Sequence, residues 1–301
     1  MAETLVTQYA GTVDNDNLPK LGELRFSITP AQNTNVRYNL LELSTKEGEG
    51  DVVVSVIGNG YITDANRTAN LGTSKTIAAG ANMDKTYFSN GTFTVVVSNK
   101  YAITALVGGT GASGSCNYKN WSFDIEQLRG MSNLTNLQFH TSGFYGDIIS
   151  LSSLTNLESF YADWLNDANI EIILDWWPNI YDFHASEVSG DIAAFSNRYN
   201  LRYINGANSP NLFGDISSLT NLPIIRVIEL GGVIRRNTKI TGDISSLANL
   251  NRQTLIDIRC DCPNVYGNIN AFAGYTNLRS LIVNIPHKPG RCSYMGLLSY
   301  R

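Results

Sequence analysis

The hydrophobic rhythm of the chain changes about a third of the way along. In residues 21–29 (LGELRFSIT), 36–44 (VRYNLLELS), 51–58 (DVVVSVIG), 75–80 (KTIAAG) and 91–98 (GTFTVVVS), apolar and polar residues alternate or β-branched residues cluster. Both patterns suit strands, and the Gly, Asn and Asp clusters between them suit turns. Short strands at this spacing suit a sandwich or a small barrel, and an N-terminal all-β sandwich over residues 1–112 is the expectation. The Gly-rich segment 108–117 (GGTGASGSCN) reads as a linker or tight loop at the domain boundary.

Beyond it the pattern becomes long-period. Gly-Asp-Ile recurs at Gly146-Asp147-Ile148, Gly190-Asp191-Ile192, Gly214-Asp215-Ile216 and Gly242-Asp243-Ile244, with Gly267-Asn268-Ile269 and Phe123-Asp124-Ile125 as variants. Leu-Thr-Asn-Leu follows at Leu134–Leu137, Leu154–Leu157 and Leu219–Leu222, with weaker copies at Tyr199-Asn200-Leu201 and Tyr275–Leu278. Successive Asp (or Asn268) positions are 23, 44, 24, 28 and 25 residues apart. Trp177-Pro178-Asn179-Ile180 stands where the 44-residue step lacks its tetrapeptide, so that step holds two units. The result is seven units of roughly 22–28 residues, a solenoid period.

Elementary stereochemistry explains one unit. In Leu157-Glu158-Ser159-Phe160-Tyr161-Ala162, the Leu, Phe and Ala point inward from a short strand. The Gly-Asp turn reverses the chain, and the Asp carboxylate caps the next turn by accepting orphan backbone N–H groups. A single unit cannot bury its apolar edge, whereas a stack of units buries a continuous core. The units are therefore expected over residues 113–301, with the tail from Pro286 to Arg301 covering the far end.

One strand per unit makes a parallel sheet, expected to be concave, whose outward residues fall in three columns. The first is Gln138, Glu158, Tyr181, Arg202, Arg226, Ile256 and Arg279. The second is Phe139, Ser159, Asp182, Tyr203, Val227, Asp257 and Ser280. The third is Thr141, Tyr161, His184, Asn205, Glu229, Arg259 and Ile282. Tyr161, Tyr181, His184, Arg202, Tyr203, Arg226 and Arg259 are the candidate ligand-binding residues. Aromatic faces stack on sugars or fill protein hot spots, and Arg forks engage acids bidentately.

The period and the Ser-Gly-Asp-Ile-Ser-Ser-Leu signature resemble leucine-rich repeats with a Gly-x-Ile second turn, and more specifically those of Bacteroidales and their phages. Residues Met83–Thr92, Val95–Val97 and Asn99–Thr104 resemble the β module that precedes such repeats in virion surface or head-fibre proteins of crAss-like phages. The resemblance implies a virion structural or capsid-decorating protein, with capsid or other virion proteins and a host glycan or surface protein as partners. It also implies homo-oligomers and a β domain that anchors the chain. Such a protein is made in the host cytoplasm and ends on the virion surface. The alternative is a bacterial surface adhesin or another leucine-rich-repeat interaction module.

Composition narrows the chemistry. Hydrophobic residues make up 43%, enough for a sizeable core, and charged residues only 16%. Net charge is -4 with no basic block, which argues against nucleic acid. No segment is long and apolar enough to span a membrane, and the N-terminus does not read as a Sec signal. No cofactor motif, catalytic triad or convincing carboxylate pair stands out, so the expectation is a non-enzymatic protein.

Three other constellations invite chemistry, and each has a plainer reading. Asp147, Asp191, Asp215 and Asp243 suggest calcium, but each turn offers one carboxylate and capping explains it. Cys260, Cys262, His287 and Cys292 lack zinc-ligand spacing, and Cys260 falls at an inward position. Trp164, Trp176 and Trp177 belong to a segment of helical spacing that packs, and His140 reads as a core substitution.

Overall fold

The structure is a computed structural model. It describes residues 21–28, 38–64, 66, 69–89, 91–111, 121–140, 142–162, 165, 168–232 and 239–283. The tail from Pro286 to Arg301 lies outside the described residues.

The N-terminal strands form two antiparallel sheets around a common core. One runs, in spatial order, Trp121–Asp124, Leu24–Ile28, Phe93–Val97, Val52–Gly58 and Ser74–Ile77. The other holds Ile103–Gly111, Tyr38–Thr45, Asn82–Phe88, Ile62–Thr63 and Asn70–Gly72. Alternation decides which side chains go in. Leu24, Phe26 and Ile28 are fully buried, as are Val52, Val54, Val95 and Val97 across from them, while Arg25 and Ser27 face away. Fully burying a Leu, Ile or Phe side chain contributes roughly 1.5–3 kcal/mol, so these rows hold the sheets together.

Both sheets run on into the repeats. Ile103–Gly111 pairs in parallel with Asn136–His140, and the same sheet continues through Ser159–Ala162, Asp182–Ala185, Tyr203–Gly206, Val227–Gly231, Asp257–Asp261 and Ser280–Val283. Ser142–Tyr145 extends the first sheet in parallel beside Trp121–Asp124. A separate parallel sheet of Ala168–Asn169, Val188–Asp191, Asn211–Asp215, Ile240–Asp243 and Asn264–Tyr266 lines a second side of the repeats. The molecule is strand-rich with parallel sheets and one short α-helix, Ile170–Trp176, among the described residues.

The Gly-Asp-Ile signature has a double cause. Each acid caps a 3-10 turn: Oδ1 of Asp147, Asp191, Asp215 and Asp243 accepts from the backbone N–H two residues on, at 2.8–3.0 Å. Asn169 and Asn268 do the same at the α-helix and the last turn. The preceding glycines, such as Gly214 with φ 118°, hold a backbone conformation that side-chain-bearing residues rarely adopt. They also lie against the capping side chain of the unit before, where a Cβ on Gly146 would stand 2.6 Å from Asp124 Oδ1.

Two expectations are corrected. Gly108–Gly111 is not linker but the end of a strand, and Gly108 is needed there because a Cβ would meet the Phe139 ring at 2.8 Å. The remaining residues of that segment, 112–117, lie outside the described set. Phe139 is not an outward residue either: it is 1% exposed, packed against Phe26 and Phe123 at centroid distances of 6.0 and 5.7 Å. Its unit sits in a different register from the one the tetrapeptide predicts. Leu134 and Leu154 open the same motif 20 residues apart, yet the paired residues Asn136 and Ser159 are 23 apart. Thr135, not Gln138, therefore heads the first column, with its carbonyl accepting from Glu158 N–H at 2.8 Å, and Gln138 moves to the third beside Tyr161.

Polar groups stitch the junction. The Gln127 side chain accepts from Arg25 N–H at 2.7 Å and donates back to Arg25 O at 3.2 Å, imitating one rung of a β-ladder. Lys100 Nζ donates to Gln127 O at 2.5 Å, and burial pulls its ammonium below the usual lysine range.

Candidate recognition face

From the second repeat onward the three columns stand as the alternation requires. Backbone N–H groups of Tyr181, Arg202, Arg226, Ile256 and Arg279 each donate to the carbonyl of the preceding column member, at 2.7–2.8 Å. Tyr203 pairs with Asp182 and Val227, and His184 with Tyr161 and Asn205. Phe160, Phe183, Ile204, Ile228 and Ile258, between them, are buried. The inward residues thus fix the outward ones in rows about 4.8 Å apart.

This brings the seven candidate residues onto one face. Tyr161 and His184 rings lie 3.7 Å apart, and His184 and Tyr203 are nearly parallel at 6.1 Å, which makes an aromatic row across three strands. The Arg202 guanidinium sits 5.3 Å over the Tyr181 ring, an orienting cation–π contact. Arg259 is held by Glu229 at 3.0 Å, and the other Glu229 oxygen accepts from Asn205 Nδ2 at 2.7 Å. Arg202 and Arg226 are exposed, and among the described residues no carboxylate lies within ion-pair distance of either guanidinium.

Electrostatics follow from partial burial. Burial raises the Asp182 carboxyl above its usual value, against the opposing pull of Arg202 and Arg226. Burial, then Asp182 and Glu158, raise the Tyr181 phenol. Tyr203 is raised by burial first and by the Glu229 charge next. The face therefore offers neutral phenols that donate and accept hydrogen bonds beside exposed guanidinium forks. Asp182, Asn205 and Glu229 adjoin the candidate residues, and the sequence placed them in these columns without singling them out. Their signal was a charged or amide side chain at an outward position between candidates.

In the other constellations, the members that lie among the described residues pack or cap. Cys260 and Cys262 both point into the core as free thiols, and the Cys260 thiol is pushed well up by its Cys262 contact and by burial. Cys116, His287, Cys292 and Trp164 lie outside the described residues, as does the His140 side chain. Among the described residues no three His, Cys, Asp or Glu side chains gather to hold a metal. Trp177 is fully buried, 4.7 Å from the Phe160 ring, with Nε1 donating to Leu151 O at 3.4 Å. No helix among the described residues is long and apolar enough to cross a membrane. A cavity of about 410 Å³ opens behind Tyr161, lined by core residues such as Leu137, Phe139 and Phe160.

No protein-family profile matches the sequence, and no curated protein matches it. Among solved structures the chain is similar to an internalin, InlF, from Listeria monocytogenes, at 22% identity and a TM-score of 0.41 over 63% of each chain. A second internalin from that organism, C2, gives 13% identity and a TM-score of 0.39, over 62% of this chain and 82% of that one. The plant peptide hormone receptor RGFR1, solved in complex with RGF2, gives 20% identity and a TM-score of 0.37, over 52% of this chain and 26% of the receptor. The chain thus spans less than two thirds of InlF and about a quarter of the receptor it matches. These likenesses carry no functional argument; the repeat character rests on the chain's own Gly-Asp caps, parallel pairing and inward apolar rows.

Proposed function

We propose that this chain is a non-enzymatic recognition protein in which seven leucine-rich repeats present the outward face of the long sheet to a protein or glycan, with the N-terminal β-sandwich as the anchoring or oligomerising part. One observation carries the reading: an aromatic row, Tyr161–His184–Tyr203, beside exposed Arg202 and Arg226 on a backbone fixed by a buried core. Aromatic and arginine side chains on rigid elements are the residue types that supply hot spots at interfaces.

The direct test is an array of bacterial surface proteins and glycans probed with the wild-type chain and with H184A/R202A/Y203A. Ligands retained by wild type and lost by the variant support the reading. Equal retention of every ligand would remove it.

The finer reading places the protein on a crAss-like phage particle, as a head-fibre or capsid-decorating component made in the host cytoplasm. The resemblance of residues 83–104 and of the repeats supports it. Mass spectrometry of purified particles tests it: the chain in stoichiometric amounts is the expected result. Its absence from particles and presence in the host outer-surface fraction would favour an adhesin.

A further inference from the structure

Resting on that reading of the face, we propose that Arg202 and Arg226, with Arg279 further along, receive the carboxylates of an extended acidic peptide on a protein partner. The three arginines stand in one column, joined through Ile256 by consecutive backbone hydrogen bonds. All three are exposed, and among the described residues none has a carboxylate within ion-pair distance. Arg259, one column away, is different: Glu229 already occupies it.

Two guanidinium groups on strands about 4.8 Å apart repel, and Asp182, in the next column, offsets this from outside ion-pair distance, which leaves both forks open to a bridging carboxylate. The Tyr181 ring restrains Arg202 and so reduces the rotamer freedom a ligand would have to freeze. The chain as a whole carries -4, so attraction of an anion has to come from a local arrangement such as this one.

Spacing and polarity select a peptide over an acidic polysaccharide. In an extended strand, alternate side chains lie on one side at about 6.6 Å intervals. Carboxylates at every second residue then span the distance from Arg202 to Arg279, about three strand spacings or 14 Å, with the long Arg arms absorbing the mismatch. Ile256, half-buried between Arg226 and Arg279, offers an apolar contact suited to a peptide's aliphatic side chain between its acids.

The experiment is fluorescence anisotropy of the full chain with a labelled peptide bearing glutamate at every second residue, with its glutamine analogue and with labelled oligogalacturonate. The glutamate peptide is expected to bind, to weaken as salt is raised, and to bind at least tenfold less well to R202E/R226E. R202K/R226K keeps the charges but loses the forks, and should bind with intermediate affinity. K239E reverses a charge outside the long sheet and should bind like wild type. Matching thermal melts show that each variant is folded. No peptide binding, equal binding of the glutamine analogue, or unchanged binding by R202E/R226E overturns the proposal. Binding of oligogalacturonate alone also overturns it while leaving the face as a recognition surface. Failure of that broader reading is seen separately, on the array.

Discussion

A Cβ placed on Gly146 would stand 2.6 Å from Oδ1 of Asp124, the carboxylate that caps the turn one unit earlier. The same collision between a glycine and the preceding cap recurs at Gly214 with Asp191, Gly242 with Asp215 and Gly267 with Asp243. Stacking, capping and the glycine conformation are one constraint seen three ways. Gly214→Ala should therefore cost about 1–3 kcal/mol from backbone strain alone, before the clash is counted. Urea denaturation measures it, and a loss under half a kcal/mol would show that the ladder is slack.

The caps themselves predict a graded series. Asp215→Ala leaves the Ser217 N–H without its acceptor and should cost about 1 kcal/mol, while Asp215→Asn should be nearly neutral because Asn169 and Asn268 cap equivalent turns.

Asp243 adds a pH dependence. Hydrogen bonds from the Ser245 hydroxyl and backbone N–H hold its carboxyl below the usual value. A depressed folded-state value stabilises the fold above the ordinary carboxylate range and loses that contribution as pH falls through the depressed value. Ser245→Ala should raise the Asp243 titration midpoint in an NMR titration. An unchanged midpoint would show that the hydroxyl does not set it.

How much of this the sequence disclosed depends on whether the cause is local. Gly-Asp-Ile was legible because capping and glycine geometry act within a few residues. The outward columns from Glu158 onward were legible because strand alternation is local too. The first repeat was not: Leu134–Leu137 copies Leu154–Leu157, yet Phe139 packs with Phe26 and Phe123, which are 113 and 16 positions away in the chain. That long-range packing sets the register. Gly108 was misread for the same reason, since its need to be glycine comes from Phe139. Phe139→Ala should cost about 3–5 kcal/mol, the range for emptying a buried aromatic site. A loss below about 1 kcal/mol would place the ring outside the core after all.

On the face, Glu229 raises the Tyr203 phenol by its charge after burial has done so, and it also holds Arg259 and Asn205. Glu229→Gln should lower the Tyr203 ionisation midpoint, read by ultraviolet titration of wild type and variant against a Tyr203→Phe reference. A midpoint that stays put would mean that burial alone sets it.

The central claim is that recognition belongs to the outward face of the long sheet and not to the second sheet, where Phe213 and Tyr266 are also exposed. The decisive measurement is the surface-plasmon-resonance affinity of the strongest array ligand for wild type, H184A/R202A/Y203A and F213S/Y266S. The account predicts at least tenfold weakening for the first variant and an unchanged affinity for the second. The reverse pattern would contradict it.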